Sequence, residues 1–339
     1  MTVIINDNRV SSYFTKTTFS NFKKTELLKA FNNSLEERNI EKGCYYVSEM
    51  ICSGYYIEIW NMVINYICKF IHICNPRLII YLKHKMYRFK LLANNVQRDE
   101  IELRNNTEIR TMFSELVIII CKSNSKTCLH EIKVKVDDLN LEIISKKFQA
   151  PNFSYLTNVF QEGDPREIYM ALNEFAYHIS DDSKNYNMAC YWFGWIFVFD
   201  EYCRKKKQRI SCIPRSFCVV KKGKSDIIWC IWNCLLTRAT QLGKGVEKLI
   251  NCLCDLFQLK YDHNILKKRK VVIYNAIYLC IESIDFSIPL GNDLLTNEYL
   301  ITNTNKIFTL LKQSEIQVET KISSKDDKID NMNKYLYNF

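Results

Sequence analysis

Ala30-Phe31-Asn32, then Asn39 to Met50 (NIEKGCYYVSEM), then Ile59-Trp60-Asn61 stand in the first part of the chain. The same words return in order as Ala171-Leu172-Asn173, Asn187 to Phe193 (NMACYWF) and Ile231-Trp232-Asn233. A further pair, Phe113 to Cys121 against Ile273 to Cys280, extends the match. Such spacing predicts an all-α protein of two helical-bundle or repeat-like halves related by internal duplication. Composition agrees. Eight Gly and five Pro in 339 residues are too few turn-makers for a β-sandwich or a doubly wound sheet.

Asp164-Pro165-Arg166-Glu167 reads as a helix start. Asp would cap, Pro would take the first turn, and Glu would close a capping box. Ile168, Leu172, Phe175 and Ile179 then follow at helical spacing. Asn75-Pro76 predicts another start, and Asp226 a cap for the helix bearing Trp229 and Trp232. Further helices are expected from Thr25, over Asn106 to Cys121, from Met188, and at Val246 to Phe257, Lys268 to Ile281 and Glu298 to Lys312. Glu131 to Val136 (EIKVKV) alternates, as a short strand or an extended linker does. The expected organisation is a flexible N-terminal arm (1–24), helical half 1 (25–122), a connector (123–164), helical half 2 with a basic loop region (165–312) and a disordered tail (313–339).

Residues 201–270 hold 17 Lys plus Arg against 5 Asp plus Glu, a net of +12, while the rest of the chain holds 30 against 32, a net of −2. The positive excess therefore lies in one fifth of the protein. Its dense points are Arg204, Lys205, Lys206, Lys207 and Arg209, then Arg215, Lys221, Lys222 and Lys224, then Lys267, Lys268, Arg269 and Lys270. Clustered cations bind phosphates by releasing counterions and need no sequence code. Tyr202, Phe217 and Tyr261 lie beside them for stacking on bases. The same lysines would also serve as a solvated loop or as a dock for an acidic protein.

Catalytic signatures are lacking. No GxSxG, HExxH or GxGxxG occurs, and Gly243-Lys244-Gly245 lacks the strand and first glycine of a P-loop. Cys68-x3-His72-x-Cys74 and Cys121-x6-Cys128-x-His130 miss the paired CxxC form of zinc sites. Cys203, Cys212 and Cys218 bracket the basic loop, where a metal staple is conceivable. The fifteen cysteines sit mostly in apolar runs, and the first 25 residues show no basic-then-apolar order. Reduced thiols in a cytosol-like compartment are expected, with no cofactor, no resident metal and no membrane span. His178 reads as a core residue. The Trp192, Trp195, Trp229 and Trp232 set reads as core, or else as the wall of a groove for a partner helix.

Six collinear runs, RNIEKGCYYVSEMICSGYYIEIW, HICNPRLIIYL, LRNNTEIRTMFSELV, DPREIYMALNEFAYHIS, ACYWFGWIFVFDEYCRKKK and KKRKVVIYNAIYL, carry a resemblance. The chain resembles an uncharacterised helical family of nucleocytoplasmic large DNA viruses, mimivirus-like and algal. The resemblance covers roughly residues 25–283 and brings no catalytic residues. It implies a viral source, a host cytoplasm (virus factory) or virion location, and other viral proteins as partners. One departure is Gly194, where the resemblance implies an acid. A glycine inside a helix costs roughly 1 kcal/mol relative to Ala, so close packing is expected there. The leading functional expectation is a non-catalytic adaptor that touches DNA or RNA, or an acidic partner, through the basic residues. A structural or assembly protein of the virion or factory comes second, and an enzyme third.

Overall fold

The structure, a computed structural model, describes residues 3–95, 99–126, 128–129, 131–291 and 296–316. Fourteen α-helices are present among them: α1 (Lys24–Glu36), α2 (Ile40–Cys52), α3 (Tyr56–Tyr66), α4 (Arg77–Asn95), α5 (Glu100–Asn105), α6 (Thr107–Lys122), α7 (Leu141–Ser145), α8 (Tyr169–Ile179), α9 (Tyr186–Lys205), α10 (Ile228–Leu242), α11 (Lys244–Gln258), α12 (His263–Lys268), α13 (Lys270–Ile281) and α14 (Asn297–Lys312). No β-strand occurs among the described residues, and one isolated bridge joins Thr17 and Lys23. The all-α class therefore stands. Side-chain caps start many helices: Asn39, Asp99, Asn106, Asn185, Asp262 and Thr296 each accept a backbone N–H from the first turn.

The chain forms two compact units. The first gathers the described residues of Met1–Ile67, Tyr81–Ser125 and Ile288–Phe339. In it α2 packs on α6, and α1 and α14 cover both. Tyr56, Trp60, Phe89 and Phe113 make the aromatic centre, with Trp60 and Phe113 rings 5.1 Å apart. The boundaries differ from the expected halves. α14 belongs here, because Leu300, Phe308 and Leu311 are buried and Thr304 donates to Ser114 Oγ at 3.2 Å.

The N-terminal segment is likewise packed where a flexible arm was expected. Ile5, Asp7, Phe14 and Phe19 are buried. Its extended backbone has carbonyls that must find donors. Two buried arginines supply them: Arg104 donates to the Asp7 and Arg9 carbonyls, and Arg110 to the Val3 carbonyl at 2.6 Å. The Arg110 guanidinium also lies 3.7 Å from the centre of the Phe308 ring. Of the expected disordered tail, Ile316 N–H bonds Asp7 Oδ2 at 2.9 Å, while 317–339 lies outside the described residues.

The second unit is Cys68–Ile80 with Lys126–Ser287. α8 packs on α9, α10 on α11, and α13 touches α8, α9, α10 and α11. Trp192, Trp229 and Trp232 are fully buried, and Trp195 nearly so, which makes them core and not a groove wall. His178 is also core, its Nδ1 2.8 Å from Ser183 Oγ. The connector is part of this unit. Its stretch 131–135 is neither helix nor strand, and it crosses α9 at Gly194. A Cβ there would stand 2.9 Å from Val134 Cγ2, so the close packing expected at this glycine is present. Trp195 Nε1 donates to the Asp138 carbonyl at 2.9 Å, and Phe148 stacks on Trp192.

The repeated words occupy α1, α2 and α3 in one unit and α8, α9 and α10 in the other, in the same order. In each unit the first two of these helices pack together, and both meet the helix bearing the last word, α6 or α13. Beyond that the units diverge, since α10 packs chiefly on α11. Helical pairs of biased composition meet in this way without common ancestry, so duplication remains an expectation.

Candidate nucleic-acid interface

The basic region is built at the C-terminal end of α9. Asp200, Glu201, Arg204 and Lys205 occupy its last turns. Lys207 then takes a left-handed φ of 58°, Gln208 N–H bonds the Cys203 carbonyl, and Lys207 N–H bonds the Arg204 carbonyl. These two bonds form the termination that usually carries glycine. Cations in the last turn also complement the helix dipole.

One buried carboxylate gathers the arginines. Asp226 Oδ1 accepts from Arg204 at 2.9 Å and Arg209 at 2.6 Å, and its Oδ2 accepts from Tyr261 Oη at 2.9 Å. Burial alone would raise the Asp226 carboxyl. The bonds from Arg204, Arg209 and Tyr261 outweigh it and hold the group below its ordinary value. Asp200 also pairs with Arg204, at 2.8 Å, but there burial wins and the carboxyl is raised. His263 is lowered, first by burial and then by Arg204.

Gly223 seals the arrangement with φ +75°. A Cβ on it would meet Asp226 Oδ2 at 2.7 Å and Tyr261 Cε1 at 2.9 Å. Its carbonyl accepts from Trp229 Nε1 at 2.7 Å. Lys267 ties in through Glu201 of α9 at 2.6 Å. The three basic runs of the sequence thus converge: 204–209 on the end of α9, 221–224 through Gly223 and Asp226, and 267–268 through Glu201.

Convergence does not make every cation available. Arg215 is buried in an ion pair with Asp164, at 2.5 Å, and it leaves the set of surface residues. Arg269 is buried too, donating to the Leu256, Phe257 and Leu259 carbonyls at the end of α11. An arginine whose donors satisfy orphan helix carbonyls is structural. Lys270 pairs with Glu131 at 2.6 Å over the Phe197 ring. Arg204, Arg209 and Lys267 are paired as described, and Lys221 is exposed. Lys205, Lys206, Lys207, Lys222, Lys224 and Lys268 are exposed with no carboxylate partner among the described residues. Of the expected stacking residues, Tyr261 is buried in the hub and Phe217 half-buried edge-on to Trp229. Tyr202 remains exposed, with Lys206 Nζ 5.8 Å from its ring centre.

Two expected helix caps serve elsewhere. α8 begins at Tyr169 after a 3-10 turn, and Asp164 accepts from Gln161 N–H, Ile213 N–H and Arg215 instead of capping. Asp226 keeps its carbonyl on Trp229 N–H but spends its carboxylate on the hub. Sequence reasoning missed that second role. The signal was available: Asp226 is the sole acid between Glu201 and Glu247, in the most basic stretch of the chain. The smaller basic face of α4 is partly neutralised, Lys85 by Glu115 at 2.6 Å and Arg88 by Glu108 at 2.5 Å. Of the short-spaced thiol and histidine groups, His72 is buried edge-on to Tyr278, and His130 lies outside the described residues.

No helix of the described residues is long and apolar enough to cross a membrane. No protein-family model matches the chain, and neither a curated protein nor a solved structure does.

Proposed function

We propose that the protein is a non-catalytic adaptor that binds nucleic acid through the lysine face of its second unit. The observation that carries this reading is the convergence of three sequence-distant basic runs on the hub of Asp226, Arg204 and Glu201. The hub absorbs arginines into ion pairs and leaves Lys205, Lys206, Lys207, Lys222, Lys224 and Lys268 facing solvent. Mobile ammonium groups on a rigid base suit phosphates read by charge and not by base identity. Tyr202 adds one aromatic surface for an unpaired base. The resemblance to a viral family supports a setting in viral DNA handling or gene expression, in a host cytoplasm or a virion.

The test is fluorescence anisotropy with labelled single-stranded and duplex DNA at low salt. Replacing the six exposed lysines by Ala should abolish binding, while Lys306→Ala, exposed on α14, should leave it unchanged. Absence of binding by the native protein at low salt removes the proposal. A second reading, a structural or assembly protein that holds other proteins, has one observation in its favour. The first unit carries an open groove of about 470 Å3 lined by Phe22, Leu27, Ala30, Tyr45 and Tyr46.

A further inference from the structure

Beneath the lysine face lies a second cluster of reactive side chains. The carboxylate of Asp164 and the thiols of Cys212 and Cys230 have ligand atoms that all lie within 4.8 Å of one another, and all three residues are buried. Two thiols and an acid invite a soft-metal reading. The hydrogen bonds of Asp164 speak against it. Its Oδ1 accepts from Ile213 N–H at 3.0 Å and Arg215 at 3.0 Å. Its Oδ2 accepts from Gln161 N–H at 2.8 Å and Arg215 at 2.5 Å. A carboxylate offers about four lone-pair positions, and these bonds fill them. A guanidinium against the site also repels a dication. Two sulfurs remain, short of the four ligands that zinc takes.

The two sulfurs differ in setting. Cys212 sits in the loop between α9 and α10, with its S–H donating to the Asp226 carbonyl at 3.2 Å. Cys230 is in the first turn of α10, and its Sγ accepts from Arg215 at 3.5 Å. Contact with Cys230, reinforced by the charge of Arg215, holds the Cys212 thiol below its ordinary value. The same contact, with burial, pushes Cys230 up. Elsewhere burial dominates and drives Cys44, Cys52, Cys68, Cys190 and Cys280 up to about 12. The more acidic thiol of a close pair, beside one whose proton is held more tightly, is the arrangement of an attacking and a resolving cysteine.

We propose that Cys212 and Cys230 are the site of a reversible disulfide, with Cys212 the sulfur that a hydroperoxide oxidises first. The Cys212 sulfur attacks one peroxide oxygen and the O–O bond breaks. With hydrogen peroxide the departing hydroxide takes a proton and leaves as water, and Cys212 becomes a sulfenic acid. Cys230 then gives up its proton and attacks the Cys212 sulfur. The S–O bond breaks and a second water leaves. Two thiols and one peroxide thus become one disulfide and two waters. The sulfurs must close to about 2 Å. Cys212 supplies the movement: it lies in the loop between α9 and α10, and its S–H leaves the Asp226 carbonyl as the sulfurs close. The bond would fasten the loop carrying Lys221, Lys222 and Lys224 to α10. It does not depend on what those lysines bind.

The experiment treats the full-length protein with a small excess of hydrogen peroxide, blocks remaining thiols with iodoacetamide and maps non-reduced peptides by mass spectrometry. A Cys212–Cys230 linked peptide, reversed by dithiothreitol, is expected ahead of any other oxidation product. Cys230→Ser should stop at a Cys212 sulfenic acid that dimedone traps. Cys212→Ser should leave Cys230 unoxidised. Circular dichroism confirms that both variants are folded. Recovery of both cysteines alkylated while other thiols oxidise would overturn the assignment, as would trapping on Cys230 in place of Cys212. So would stoichiometric zinc in the native protein that is lost in Cys212→Ser.

Discussion

Arg215→Met is the substitution on which the architecture of the second unit can be judged. The guanidinium is almost wholly buried, with side-chain exposure of 2% against 0% for Asp164. It makes two bonds to Asp164 and one each to Gln161 Oε1 at 3.1 Å and the Ile213 carbonyl at 2.8 Å. Methionine keeps much of the apolar stem, so the cavity left behind is small. What remains is a buried carboxylate without its counter-charge. Stranding one partner of a buried pair costs about 3–5 kcal/mol. For a unit of this size each kcal/mol lowers the melting midpoint by roughly 2–4 °C, so a fall of about 6–20 °C is expected.

The pH dependence carries a sign that a packing defect would not. In the native protein burial would raise Asp164, but Arg215 and two backbone N–H groups hold it below 3.8. A lowered folded pKa contributes stability above the unfolded value, lost as pH falls through the folded one. In Arg215→Met burial is no longer opposed by the guanidinium and the carboxyl rises. A raised folded pKa means that protonation favours the folded state, so the deficit of the variant should shrink as pH falls from 7 towards 4. Adding Asp164→Asn should recover part of the loss at pH 7. Thermal melts by circular dichroism at several pH values decide it. A loss under about 1 kcal/mol, or one that does not change with pH, refutes the reasoning.

Three further outcomes are expected. Gly223→Ala combines a left-handed φ with a Cβ 2.7 Å from Asp226 Oδ2, and should lower stability by about 1–3 kcal/mol in urea titrations. His263 has a folded pKa below its ordinary 6.5. The unfolded chain therefore binds its proton first, and stability falls as pH drops below 6.5; His263→Gln should flatten melts between pH 7 and 5. Gly194→Val drives side-chain atoms into Val134 and should expose 131–135 to faster hydrogen exchange, with about 1–3 kcal/mol lost.

Helix positions were legible because local signals decide them. Thr25, Met188 and Val246 fall within two residues of the observed starts of α1, α9 and α11. Asn and Asp caps and the 3.6 period act over a few residues, and few glycines or prolines interrupt. The aromatic and cysteine core was legible for the same reason. What a sequence cannot display is which distant charge an acid meets. Asp164 and Asp226 have the neighbours of N-caps, yet each is taken by an arginine many residues away. The same limit hid the clamp of Arg104 and Arg110 on the N-terminal segment, and the return of α14 to the first unit. Basic residues were read by density. Density could not separate Arg215 and Arg269, which serve backbone and buried acid, from the lysines that face solvent.

The most direct test of the lysine face is the salt dependence of binding to a labelled duplex. Lys205, Lys206, Lys207, Lys222, Lys224 and Lys268 set an upper limit of six phosphates. Each neutralised phosphate contributes about −0.9 to the slope of log K against log salt, so a slope approaching −5 is expected. Lys205→Ala with Lys206→Ala and Lys207→Ala should make it shallower by about 3. A slope near zero, or one untouched by those three substitutions, contradicts the account.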